Sequence, residues 1–313
     1  MTELDRKAAE LGIDLQVSLA GVTFSNPLMT ASGTFSPHES SQFYDLSELG
    51  AAVTKGVSAE PWEGNPTPRI AETYGGMLNS VGLENKGADW YRDSELPFLE
   101  QYDTRIVTNL AGHSVEDYVR VTEKLNACDA IDLFELNISC PNVSSGGMAF
   151  GTDPDMAAEV VRAVRKETDK PFIVKLTPNV TDITVIAQAV EDAGADAVSL
   201  INTLLGMAVD LRRKNVVLAR KIGGFSGPAV KPVALRMVWE TAKKVNIPVI
   251  GIGGINSGTD VVEFLAAGAS AVGIGTASLM DPRAMVRIKS ELIDYMQENG
   301  FSTIRQLKDA FDI

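Results

Sequence analysis

Phe172-Ile173-Val174-Lys175 is a short apolar run rich in β-branched residues, and Ala197-Val198-Ser199-Leu200-Ile201 is another. Between them Ile183, Ile186, Ala187 and Val190 recur at i, i+3, i+4 and i+7, the spacing of one helix face. Strand, helix and strand in series make the unit of a parallel sheet, because parallel neighbours need a long crossover. The pattern extends both ways. Leu28–Ala31, Ala52–Lys55, Ile106–Asn109 and Leu133–Asn137 precede it, and Val249–Ile252 and Ala271–Ile274 follow. Leu235, Val238, Trp239 and Ala242 mark a second helical face. Eight such strands predict an α/β chain folded as a closed (β/α)8 TIM barrel. The alternative, a doubly wound open sheet, usually carries G-x-G-x-x-G after its first strand, and that string is absent here.

Helix-start signals agree. Ser114 stands three residues before Asp117, and Asp153-Pro154 and Asp281-Pro282 place proline at an expected first helical position. Three segments exceed a minimal barrel. Leu15–Phe24 alternates through Leu15, Val17 and Leu19 and predicts a hairpin before the first strand. Ser58–Leu83 and Thr203–Pro228 are long insertions after the second and sixth strands. Loops of that length are uncommon unless functional, and their position puts them over the C-terminal mouth, where barrel active sites lie.

The chain has 313 residues, 45% hydrophobic and 22% charged, with a formal net charge of −13. No linker or composition shift divides it, so residues 1–313 read as one domain. An acidic chain is a poor partner for nucleic acid or an anionic membrane surface. Cys128 and Cys140 are the only cysteines, too few for a four-thiolate iron–sulfur cluster. Met1–Asp14 has no apolar signal core, and no stretch approaches the roughly 18 consecutive apolar residues of a membrane span. A reduced, cytoplasmic protein is expected.

Polar residues stand at the ends of successive strands: Lys55, Asn109, Asn137 and Lys175, with Asn202 just past the sixth. Together they form a ring facing one mouth. A lysine at such a place needs an anionic partner to offset its desolvation. Gly251-Ile252-Gly253-Gly254 and Gly273-Ile274-Gly275-Thr276 end the last two strands, where barrel backbones often cradle a phosphate. Tight βα turns are the plainer reading of the same glycines. In Glu135-Leu136-Asn137-Ile138-Ser139-Cys140-Pro141-Asn142-Val143 a cysteine follows the fourth strand among polar neighbours. A thiol, with an ordinary pKa of ~8.5, can serve as a base near neutrality. Cys128, closing a helix, better suits a structural role.

These strings resemble the family 1 dihydroorotate dehydrogenases, and within them the NAD-linked 1B catalytic subunit. The similarity is carried by Asn26-Pro27, Ala31-Ser32-Gly33-Thr34, Thr54-Lys55-Gly56, Gly64-Asn65-Pro66, Pro68-Arg69, Asn79-Ser80-Val81-Gly82-Leu83, Asn137 to Val143, Gly146 to Gly151, Ile201-Asn202-Thr203, Ser226-Gly227-Pro228 and the glycine pairs. Phe225 departs from the Leu expected there. The resemblance implies that FMN is held by Ser32, Lys55, Gly56, Asn109, Asn137, Lys175, Ile201, Gly227, Gly253, Gly254, Gly275 and Thr276. It implies that dihydroorotate or orotate is held by Lys55, Asn79, Ser80, Val81, Gly82, Leu83, Asn137, Asn202 and Thr203, with Cys140 as base. It further implies oxidation of dihydroorotate in pyrimidine biosynthesis, and a homodimer at the core of a heterotetramer. An electron-transfer subunit with FAD and a [2Fe–2S] cluster would pass electrons to NAD. Three readings compete: a flavin-free phosphate-binding lyase or isomerase, a non-catalytic binding subunit on the same fold, and a related pyrimidine reductase.

Overall fold

The computed structural model describes residues 1–139 and 150–313. In chain order the strands are β1 (Val17–Leu19), β2 (Val22–Phe24), β3 (Leu28–Thr30), β4 (Ala51–Val53), β5 (Ile70–Thr73), β6 (Gly76–Asn79), β7 (Arg105–Leu110) and β8 (Leu133–Asn137). Then come β9 (Phe172–Lys175), β10 (Ala197–Leu200), β11 (Leu204–Met207), β12 (Val209–Asp210), β13 (Asn215–Val216), β14 (Ile222–Ser226), β15 (Val249–Ile252) and β16 (Ala271–Ile274). Eight of them close a parallel barrel in the order β3-β4-β7-β8-β9-β10-β15-β16 and back to β3. Its strands match the eight read from sequence, with ends shifted by up to two residues, so that Lys55 and Ile201 lie just past their strands.

Alternation sorts the strand residues into two cores. Phe134, Leu136, Val174 and Val198 face outward into the layer of helices. Val53, Val107, Leu133, Ile173, Ala197, Ile250 and Ala271 face inward and pack as a separate cluster. The predicted N-terminal hairpin is present as β1 and β2, and its Leu19 and Phe24 join that inner cluster, closing the end of the barrel opposite the polar rim. Between β3 and β4 the ladder is short. The Thr30 hydroxyl fills in, donating to Val53 O at 2.9 Å and accepting from Val53 N at 2.7 Å.

Two of the three helix starts hold. Ser114 and Asp117 form a reciprocal capping box on Val115–Asn126, and Asp153 caps Pro154–Arg165 with Pro154 in its first turn. Asp281-Pro282 does not begin a helix. Asp281 ends the short helix Thr276–Met280 and accepts from Arg283 N, and the next helix, Ala284–Glu298, starts after Arg283. The Asx turn satisfies the i+2 backbone donor that an N-cap would, but that donor, Arg283 N, lies one residue before the helix begins. The long insertions are not loose loops. β5 and β6 from the first, and β11 and β14 from the second, pair antiparallel as one sheet in the order β11-β14-β6-β5.

A buried ion cluster ties the N-terminal helix Glu3–Glu10 to this frame. Lys289, 1% exposed, donates to Glu48 Oε2 at 2.6 Å and to Asp5 Oδ1 at 2.7 Å. Burial alone would raise the Asp5 carboxyl, but the bond and charge of Lys289 outweigh it, and the group lies below its ordinary range. Its contribution is therefore present above the unfolded pKa and lost as pH falls through the folded value. Lys289→Ala leaves the buried Glu48 carboxylate without its cation, and about 3–5 kcal/mol of stability should go with it. Chemical denaturation measures this; a loss within ~1 kcal/mol, the range of surface pairs, would contradict it.

Candidate active site

Moving up the barrel interior, the apolar floor gives way to polar side chains. Asn109 on β7, Glu135 on β8 and Ser199 on β10 form a buried middle layer. One pleat higher, Asn137 and Lys175 face the mouth, paired in register across β8 and β9. Lys55 and Ile201, just past β4 and β10, complete that level. Above them lies a cavity of about 290 Å³, roofed by the antiparallel sheet through Asn79, Met77, Gly224 and Phe225.

All the described residues expected to hold cofactor or substrate line this cavity, with two exceptions. Asn109 lies in the layer beneath, under Gly56. Ser80 is 2% exposed and off the cavity wall, a place that β-alternation from Asn79 dictates. Cys140 lies outside the described residues.

The polar groups are braced by one another. Lys175, 6% exposed, donates from Nζ to Ser32 Oγ at 3.2 Å. Asn202 Nδ2 donates to Ser139 Oγ at 2.5 Å, and Ser139 Oγ donates to Asn137 Oδ1 at 2.7 Å. That chain turns the Asn137 amide NH2 away from Ser139, so the residue offers donors to a ligand. Asn202 Oδ1 accepts from Thr203 N at 2.8 Å. Beside the mouth, burial raises the Glu95 carboxyl, and the Lys55 and Lys86 ammoniums offset part of that rise.

The glycine pairs form one side of the cavity. Gly253 has φ 134 and Gly254 φ 76, backbone shapes that side chains resist. A Cβ on Gly254 would also stand 2.7 Å from the backbone N of Lys231. Thr276 Oγ1 donates to Ser226 Oγ at 2.8 Å and joins this rim to the roof.

Sequence reading gave no role to Glu135, Ser199, Ser139 or Ser226. Glu135 was reachable, since the residue two before Asn137 in a strand shares its face. Ser226 was not, because its neighbour Thr276 is 50 residues away and meets it only through the roof. Cys128 is half-buried against the outer core, and burial pushes its thiol up, away from the range of a base.

A family model for dihydroorotate dehydrogenase matches residues 14–296. The chain belongs to the dihydroorotate dehydrogenase family. It is 54% identical over 299 residues to the catalytic subunit of dihydroorotate dehydrogenase B (NAD+) from Alkaliphilus metalliredigens, covering 95% of this chain and 99% of that one. The protein of the same description from Alkaliphilus oremlandii is 56% identical over 295 residues, covering 94% and 97%. A crystal structure of dihydroorotate dehydrogenase from Eimeria tenella, in complex with ferulenol, superimposes with a TM-score of 0.76 over 95% of this chain and 88% of that one. At 21% identity that likeness speaks for the shared barrel fold alone. Among the described residues no helix is long and apolar enough to cross a membrane, and no cluster of His, Cys, Asp and Glu could hold a metal.

In this dihydroorotate dehydrogenase barrel the Gly254 turn should be the least tolerant point of the rim. Gly254→Ala meets both a strained φ and the Lys231 backbone, and should cost more than about 1 kcal/mol. Gly33, also on the cavity wall, has no positive φ and open space at its Cβ, so Gly33→Ala should unfold near the wild-type temperature. Equal melting temperatures for the two variants would contradict the strain assigned to Gly254.

Proposed function

We propose that the chain, acting as one domain, oxidises dihydroorotate to orotate in pyrimidine biosynthesis with FMN as its hydride acceptor. The observation that carries this reading is the convergence of Lys55, Lys175, Asn137 and Asn202 on one roofed cavity beside a glycine rim. FMN fits the residues present. One phosphate suits the single rim at Gly253, Gly254, Gly275 and Thr276, with Gly227 and Ser226 beside it. The apolar side chains of Ile201 and Ile252 on the cavity wall suit contact with an aromatic ring. Asn109 Oδ1, buried and without a partner among the described residues, is an acceptor waiting for a ligand donor.

Each residue then has a task. When bound, FMN would supply the two-electron acceptor that the side chains lack. Lys175, held by Ser32, would set a fixed positive charge beside the ring where electrons arrive. Ser32, Gly56 and Asn109 would complete the ring's seat. Lys55, Asn137, Asn202 and Thr203 would orient the substrate's carboxylate and ring amides, with Asn79, Val81, Gly82 and Leu83 closing over it. Ser80 would support that strand from behind. Cys140, one residue past the Ser139 bridge, would take the C5 proton of dihydroorotate as hydride leaves C6. Electrons would reach NAD through a partner subunit carrying FAD and a [2Fe–2S] cluster, around a homodimer of this chain in a heterotetramer. A cytoplasmic location fits that role.

General-base catalysis contributes ~10²–10⁴-fold, so Cys140→Ala should slow anaerobic flavin bleaching by that order while the protein stays folded and yellow. Cys140→Ser should keep some activity at higher pH, because an alkoxide forms less readily than a thiolate. Cys128→Ser should stay within a few-fold of wild type. Stopped-flow absorbance across neutral to alkaline pH separates the three. Wild-type rates in Cys140→Ala, or equal losses in the two serine variants, would overturn the assignment.

A further inference from the structure

Asn109 and Glu135 are paired in register on β7 and β8 and are buried in the middle layer of the barrel. Asn109 Nδ2 donates to Glu135 Oε2 at 2.5 Å, and Ser199 Oγ donates to Glu135 Oε1 at 2.8 Å from β10. Both carboxylate oxygens are thus engaged, across three strands. A carboxylate offers only acceptors, so the edge of the Asn109 amide turned toward it has to be the NH2. The carbonyl oxygen turns the other way. It is buried and has no partner among the described residues. Above it stands Gly56, where a Cβ would come 3.1 Å from that oxygen and 3.5 Å from Leu83 Cδ2. Gly56 and Leu83 both line the cavity, so the glycine leaves space between the orphan oxygen and a ligand. An unmade hydrogen bond at a buried carbonyl carries the full desolvation penalty, which a ligand donor would relieve.

We propose that Glu135 is a positioning residue: anchored by Ser199, it locks the Asn109 amide with its carbonyl toward the cavity, where it accepts the imide N–H of the flavin. This rests on the flavin reading above. The polarity matches, because the oxidised flavin ring carries a single N–H, at N3. With the amide turned over, NH2 would face N–H and the contact would be lost. Glu135 never touches the ring; it acts by making one of the two amide orientations the stable one.

The test uses protein stripped of flavin and reconstituted with FMN labelled with nitrogen-15 at N3. In wild type the N3 proton should appear as a downfield, slowly exchanging NMR signal. Glu135→Leu removes the acceptor that orients Asn109. It should lose that signal and weaken FMN binding on the order of 10–100-fold, the scale of an unsatisfied buried polar group. Glu135→Gln should rescue both, because its carbonyl can still accept from Asn109 while its amide donates to Ser199. Asn109→Ala, which leaves Glu135 bonded to Ser199, should lose the signal as Glu135→Leu does. If Glu135→Leu does not fold, Glu135→Met makes the same comparison with a more adaptable side chain. Wild-type protein that takes up no flavin would overturn the function proposed above. Wild-type protein that binds FMN with a rapidly exchanging N3 proton, or variants that keep the signal, would overturn this inference alone.

Discussion

Closure of eight parallel strands into one ring is the constraint from which the rest of this structure follows. Every strand runs the same way, so every strand ends on the same rim. The strict alternation of side chains then decides what each end presents. Val53, Val107, Leu133 and Ile173 fill the floor, and the residue two positions later in each, Lys55, Asn109, Glu135 and Lys175, is polar. A polar site over an apolar core needs no separate device. It needs only that the inward series change chemistry on approaching the C-terminal end, as Leu133-Glu135-Asn137 and Ile173-Lys175 do.

The ring also explains why the polar layer can be buried at low cost. Groups that would be isolated on a flat sheet face one another across a barrel. Glu135 reaches Asn109 on one neighbour and Ser199 two strands away, and Lys175 reaches Ser32 beyond β3. Each such bond satisfies a buried group and also fixes a rotamer, so stability and site geometry share the same contacts. The hairpin of β1 and β2 closes the opposite end with Leu19 and Phe24, and the roof sheet covers the mouth.

Much of this was legible in the sequence, for a physical reason. The barrel strands are buried on both faces, so they read as continuous apolar runs, and the helices between them carry a clear period. The rim residues were legible because they end those runs. The roof was not. β5, β6, β11 and β14 are short, glycine interrupts all of them but β5, β5 is largely exposed, and β6 pairs with β14 across some 145 residues, as Asn79 and Gly224 do. No local signal encodes such a pairing. Asp281-Pro282 misled because an Asx turn and a helix cap use the same residues for the same hydrogen bonds. Glu135 was overlooked although its position on the Asn137 face was readable; what the sequence lacks is the identity of its partners on β7 and β10.

The central claim is that the cavity above Lys55, Asn137 and Lys175 oxidises dihydroorotate through a bound flavin. Anaerobic titration of the purified protein with dihydroorotate, followed at the flavin's visible absorbance, tests it most directly. The account predicts a yellow protein that dihydroorotate bleaches, with orotate formed mole for mole. A colourless protein, or a flavin that remains oxidised in excess dihydroorotate, would contradict it.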